Sequence, residues 1–167
     1  ITFTLGRLDL LPEIENIAQK LKKIAKIHIF INTGMNRDGI TPDEMTHNSD
    51  LFTKYAHINF EGICSHFATS EFNDKTFITK QLECFDDILQ LSVDFYNQFK
   101  YIHIANSAAI INLPQSIYNS VRPGIALYGL MPEKKFADAM DLKPILSLKS
   151  NVKKIQKLKK GDTAGYS

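Results

Sequence analysis

The 167-residue sequence is short of cysteine, of net charge and of long apolar runs, and each shortage removes a class of protein. Only Cys64 and Cys84 occur, without metal-ligand spacing. Two cysteines cannot make the dense disulfide framework of a small secreted domain, so reduced thiols in a cytoplasm are the simplest reading. The formal charge is +2, from acids and bases spread along the chain. That balance gives no electrostatic reason for a nucleic-acid or anionic-membrane partner. No apolar run approaches the length that crosses a bilayer, and residues 1–10 lack the charged and apolar regions of a signal peptide. The sequence has 44% hydrophobic and 23% charged residues, enough to build one soluble domain with a core, and small-molecule chemistry is the expectation.

Apolar spacing alternates between two regimes: short β-rich runs, then longer stretches with helical intervals. Ile1–Leu5 reads as a strand. Leu10–Ile24 reads as a helix with Leu11, Ile14, Ile17, Ala18, Leu21 and Ile24 on one face. Ile27–Ile31 is a second strand. Thr41 and Pro42, with Glu44 three residues beyond the cap, predict a helix to about Ala56. Phe60–Ser65 is a strand, and Asn73 or Asp74 caps a helix to about Gln98 that turns Phe77, Leu82, Phe85, Ile88, Leu89 and Phe95 inward. Tyr101–Ala105 and Gly124–Tyr128 complete the strands. Strands alternating with helices pair in parallel. A closed eight-stranded barrel typically needs about 250 residues, so the chain forms either a small open sheet or part of a barrel.

Beyond Pro132 the pattern changes. Pro144–Leu148 and Asn151–Leu158 alternate without helices between them, which predicts antiparallel β structure and a second domain from residue 143. Lys153, Lys154, Lys157, Lys159 and Lys160 read as a solvated strand face.

Four groups of unusual residues follow predicted strands at their C-terminal ends: Asn32–Gly39, His66–Thr69, Asn106–Ala109 and Arg122–Gly129. In parallel α/β folds that edge is where ligands bind. Each has a plainer explanation alone: Arg37 a surface cation, His66 a hydrogen-bonded strand end, Ser107 a helix N-cap, Gly124 a close approach of backbones. Together they outweigh it. Asn32-Thr-Gly-Met-Asn-Arg37-Asp-Gly39, Glu61-Gly-Ile-Cys-Ser-His66-Phe-Ala-Thr69, His103-Ile-Ala-Asn106-Ser107-Ala-Ala109 and Val121-Arg122-Pro-Gly124-Ile125-Ala-Leu-Tyr-Gly129 resemble, in order and spacing, the motifs of the alanine racemase family. The resemblance continues through Leu142–Leu148 and a Lys-Lys-Gly-Asp stretch to Gly165-Tyr166.

The resemblance implies an α/β fold in which residues 1–142 are the second part of a pyridoxal 5'-phosphate (PLP)-binding (β/α)8 TIM-type barrel, and residues 143–167 begin a C-terminal β domain. It implies a PLP-dependent isomerase interconverting L- and D-alanine for peptidoglycan synthesis, cytoplasmic, and a homodimer with shared active sites. Arg122 is then expected to donate to the pyridine nitrogen of PLP, keeping it unprotonated because a guanidinium does not give up its proton. Ser107, with the backbone N–H groups of Gly124 and Ile125, is expected to hold the phosphate. His66 is expected to sit between Arg122 and the catalytic tyrosine as an orienting group, Arg37 to reach the cofactor phenolate oxygen and the substrate carboxylate, and Asn106 to support the site.

The chain departs from the family pattern at Phe30, where many members carry a lysine that braces the arginine matching Arg37, and at Asn32, commonly aspartate. The two opposed bases, a lysine on the first barrel strand and a tyrosine further into the β domain, have no counterpart here, and Tyr166 belongs to a different Tyr-Gly step. The fragment is therefore expected to be inactive alone. A serine racemase of the same family and a non-catalytic PLP-binding domain are the alternatives.

Overall fold

A computed structural model describes residues 1–48, 50–91 and 99–165. Among them, β1 (Thr2–Leu5), β2 (Ala25–Phe30), β3 (Ile58–Cys64) and β4 (Tyr101–His103) form one parallel sheet in chain order. Helix α1 (Leu11–Lys20) connects β1 to β2, α2 (Pro42–His47) and α3 (Leu51–Lys54) lie between β2 and β3, and α4 (Thr76–Gln90) follows β3. α5 (Ser107–Asn112) follows β4. Strands that stay in chain order without a reversal form the arc of a barrel, whereas a doubly wound sheet has a point where the order turns back.

The two faces of the arc differ in chemistry because side chains alternate along a strand. Ile27 and Ile29 of β2, Ile63 of β3 and Ile102 of β4 belong to one buried cluster with Leu11 of α1 and Ile78, Phe85, Ile88 and Leu89 of α4. The other face carries His28 of β2, Gly62 and Cys64 of β3, and His103 of β4, with His28 opposite Gly62 and Cys64 opposite His103. That register depends on a bulge: Ile27 pairs with Phe60 but His28 with Gly62, so Glu61 is the extra residue. Glu61 accepts from Thr2 Oγ1 at 2.7 Å and lies 3.3 Å from Lys26 Nζ, which ties the bulge across β1 and β2.

Local signals explain several boundaries. Thr41 Oγ1 accepts from the Glu44 N–H at 3.2 Å and the Glu44 carboxylate accepts from the Thr41 N–H at 2.9 Å, the reciprocal capping box expected from the sequence. The helix it starts is shorter than expected: α2 ends at His47, and α3 is a separate turn. Asp74 accepts from the Thr76 N–H at the start of α4, whereas Asn73 instead accepts from Lys135. The predicted run to Gln98, with Phe95, falls partly outside the described residues. Within α4 the buried positions are Ile78, Gln81, Phe85, Ile88 and Leu89, and Phe77 is exposed.

Three expectations are corrected. The helix expected over Leu10–Ile24 stops at Lys20, because Lys22 turns to the left-handed region at φ 51°. Ile17 within the helix and Leu21 and Ile24 beyond it are exposed, lining an open apolar groove of about 290 Å³ with Phe3 and Ile14. Gly124–Tyr128 is no strand: Ile125–Tyr128 is a 3-10 turn stopped by Gly129 at φ 77°. Finally, no strand forms among residues 143–165, where Ile145 donating to the Tyr128 carbonyl is the bond that ties the segment to the turn before it. A strand needs partners for its N–H and C=O groups, and the alternating pattern supplies side chains without supplying a neighbour.

Candidate functional site

The polar loops gather beyond the C-terminal ends of β2, β3 and β4, and Arg122 is brought to them by its own backbone, which donates to the Ala105 carbonyl at 2.9 Å. Its guanidinium is enclosed by acceptors. Nη1 donates to Nδ1 of His103 and to the His103 carbonyl, and Nη2 donates to the Ser65 carbonyl at 2.6 Å and to Nδ1 of His66 at 3.2 Å. Guanidinium nitrogens only donate, so both imidazoles are unprotonated at Nδ1 and neutral with the hydrogen on Nε2. The electrostatics agree. Burial, then the charge of Arg122, pushes His103 down to about 3, and burial with the charges of Arg122 and Arg37 lowers His66.

Next to this cation, Ser107 Oγ accepts from the Gly124 N–H at 2.8 Å and from the Ala126 N–H at 3.3 Å. Ser107 is the first residue of α5 and not its cap. Asn106 is the cap, its Oδ1 accepting from the Ala109 N–H at 3.0 Å and from Ser70 Oγ at 2.8 Å. A Cβ built on Gly124 would meet Ser107 Oγ at 3.7 Å, ordinary contact, so no close approach of backbones requires this glycine. His66, Ser70, Asn106, Ser107, Arg122, Gly124 and Ile125 line one open cleft of about 390 Å³, together with Glu71 and Glu133.

Arg37 stands apart from that lining, exposed on the β2 loop, although its charge reaches His66. Asn32 shapes this loop. Its Oδ1 accepts from the N–H groups of Gly34 and Asn36, and its Nδ2 donates to Asn36 Oδ1, holding Asn36 at φ 55°. The loop closes on Gly39, at φ 112°, where a Cβ would lie 2.7 Å from the Asn32 nitrogen and 2.9 Å from the Phe30 ring. Phe30 thus packs under the loop and offers Arg37 no polar group.

Two residues that position the site carried no assigned role in the sequence reading. His103 stood in a quoted motif, yet it makes the inner contacts of Arg122. Gln81 of α4, fully buried, donates to the His66 carbonyl at 3.0 Å and to Thr33 Oγ1 at 3.2 Å and accepts from the Ala68 N–H at 3.0 Å. Since Ser65 Oγ donates to the Ile31 carbonyl, Thr33 must donate to Ser65, and one chain of bonds runs from α4 to β2. Its signal was available: residue 81 lies three after Ile78 and four before Phe85, on the buried stripe.

A parallel α/β arc with a partly buried guanidinium beside a hydroxyl-and-amide cradle, at the C-terminal ends of its strands, defines a barrel-type domain with its polar cleft where ligands bind in such folds. Comparison with known proteins names the particular group. The family described as alanine racemase, N-terminal domain, matches residues 1–132, and the chain belongs to it. It is 36% identical over 165 residues to an alanine racemase of Clostridium novyi, covering 98% of this chain and 43% of that protein. An alanine racemase of Methanococcus maripaludis is 36% identical over 168 residues, with 99% of this chain and 45% of the relative covered. The solved alanine racemase of Clostridium difficile 630 in complex with cycloserine superposes with a TM-score of 0.80 at 33% identity, covering 86% of this chain and 40% of that one. The chain therefore spans less than half the length of these relatives.

Proposed function

We propose that these residues form the cofactor-binding part of an alanine racemase that interconverts L- and D-alanine with PLP, in the cytoplasm, and so supplies D-alanine for peptidoglycan. The observation that supports it most is the pairing of Arg122 with the Ser107–Gly124 cradle in one cleft.

The residues present fit the cofactor. Ser107 Oγ with the amides of Gly124, Ile125 and Ala126 suits the oxygens of a phosphate, and Ser107 now takes two of those amide protons itself. Glu71 and Glu133 in the same cleft oppose an anion, so the phosphate end is set by these directed donors and not by net charge. Both Nη atoms of Arg122 are held by His103, His66 and Ser65, and Nε has no protein acceptor among the described residues, which leaves it for a ring acceptor. Bound PLP supplies the electron sink that acidifies the hydrogen α to the amine. An arginine at its ring nitrogen keeps that nitrogen unprotonated and weakens the sink, which favours racemisation over side reactions. His66, neutral with its hydrogen on Nε2, orients a further acceptor. Arg37 receives the substrate carboxylate, and Asn106 fixes α5 and with it Ser107.

Among the described residues lining the cleft there is no lysine and no tyrosine. We propose accordingly that the two proton-transferring bases lie outside these 167 residues, that the chain alone does not racemise alanine, and that the whole protein is a homodimer with residues 143–167 opening its β domain.

The test is conversion of L-alanine to D-alanine, followed by chiral chromatography, by the parent protein with PLP and by this chain beside it. Activity in the parent and none in the chain is the expected result. A folded, PLP-loaded parent without activity removes the alanine assignment and turns attention to serine, and activity in the chain removes the statement about the bases.

A further inference from the structure

The bonds around Arg122 do not end at His103. Nε2 of His103 lies 2.7 Å from Nδ1 of His28 on β2, and the two rings sit 4.9 Å apart. Every hydrogen along this row can be placed by elimination. Arg122 donates to His103 Nδ1, so the His103 hydrogen is on Nε2; His103 therefore donates to His28 Nδ1, so the His28 hydrogen is on Nε2. That Nε2 is buried and has no partner among the described residues. It lies 2.8 Å from where a Cβ on Gly62 would stand, so the bulge at Glu61, by setting Gly62 opposite His28, makes room for the ring.

We infer that His28 is a positioning residue for Arg122: as the terminal acceptor of a one-directional row, it fixes the ring of His103 and through it the guanidinium. This rests on the reading of Arg122 as the group that meets the ligand.

The row has a built-in polarity. A proton added to His28 would sit on Nδ1, facing the His103 N–H. Either that bond breaks, or His103 moves its hydrogen to Nδ1, where it faces the N–H of Arg122. The first cuts the row between the two rings and the second costs Arg122 an acceptor, so the arrangement holds only while both imidazoles are neutral. The groups around His28 are Thr4 in register on β1, Glu61 and Gly62 on β3, Tyr101 and His103 on β4, Arg122 beyond, and Lys26 on its own strand. Glu61 is the one that favours a cation, and it is engaged by Thr2 and Lys26. Burial works the other way and lowers His28.

The experiment is long-range 15N–1H NMR of the histidine rings in this chain near neutral pH, with assignments from single substitutions and without any ligand. Both His28 and His103 are expected as neutral Nε2–H tautomers. Either one found protonated at Nδ1 overturns the inference. A second readout uses the Arg122 guanidinium. His28→Asn keeps an acceptor near Nδ1 and should preserve separate Nη resonances, while His28→Phe should speed rotation of the group by about tenfold, the scale of one lost buried hydrogen bond. Unchanged Arg122 resonances in folded His28→Phe also overturn it. If the tautomers are as stated but PLP does not bind, the positioning role stands and only the functional reading of Arg122 fails.

Discussion

Residues 1–122 and residues 143–165 both show apolar and polar residues in strand-like alternation, yet they end in opposite states. In the first region each strand meets a neighbour: β2 pairs on both sides, and Ile27, Ile29 and Ile63 reach zero exposure. In the second, Leu148 is 102% exposed and Ile155 84%, with no strand formed. Periodicity states which face a strand would bury, and the outcome depends on whether anything is there to bury it against. The candidate site residues follow the same division. Arg122 is anchored by bonds to the His103 carbonyl of β4 and the Ser65 carbonyl just beyond β3, and His66 and Ser107 lie on the segments that follow those strands.

The sharpest way to break the comparison is one truncation in each region. Phe85→Ala should cost about 3–5 kcal/mol by chemical denaturation, as large-to-small changes in a packed core do, whereas Leu148→Ala should stay within about 0.5 kcal/mol. Equal losses would mean that residues 143–165 are packed. Gly62→Ala should cost about 1–3 kcal/mol through overpacking, because its Cβ would lie 2.6 Å from the His28 ring. Thermal melts on that variant check this.

Acid provides a third test. His103 is held down to about 3 in the folded chain, whereas an unfolded histidine titrates near 6.5. Between those values the unfolded state binds the proton and the folded state does not, so stability falls as pH falls through that window. The slope for this one histidine is about 1.4 kcal/mol per pH unit. His28 and His66, lowered in the same direction, steepen it. Denaturation midpoints from pH 7 to pH 4 check the sign, and a flat profile would contradict the neutral ring set. A smaller loss is expected at the α2 capping box, where Thr41→Ala should cost about 1 kcal/mol, read from the urea midpoint.

Much of this was legible in the sequence because it is local. The capping box at Thr41, the α1 start and the parallel pairing of the strands follow from local pattern, and the four motifs carried the family resemblance. What escaped was set by backbone conformation or by partners far away in the chain. The end of α1 depends on the backbone at Lys22, and Gly124–Tyr128 reads as a strand until the bonds to Ser107 draw it into a turn. Asn106 rather than Ser107 caps α5, a choice between adjacent residues that a pattern does not make. His103 and His28 are 75 positions apart, and only the bulge at Glu61 reveals why a glycine faces the ring.

We propose that Ser107, Gly124 and Ile125 cradle a phosphate beside Arg122. Its most direct test is a titration of this 15N-labelled chain with PLP, following backbone amides, with Ser107→Ala in parallel. Gly124, Ile125 and Ala126 should shift first, and Ser107→Ala should weaken binding by about tenfold, the scale of a charge-assisted hydrogen bond. Binding that leaves those three amides unmoved, or that Ser107→Ala does not weaken, would contradict it.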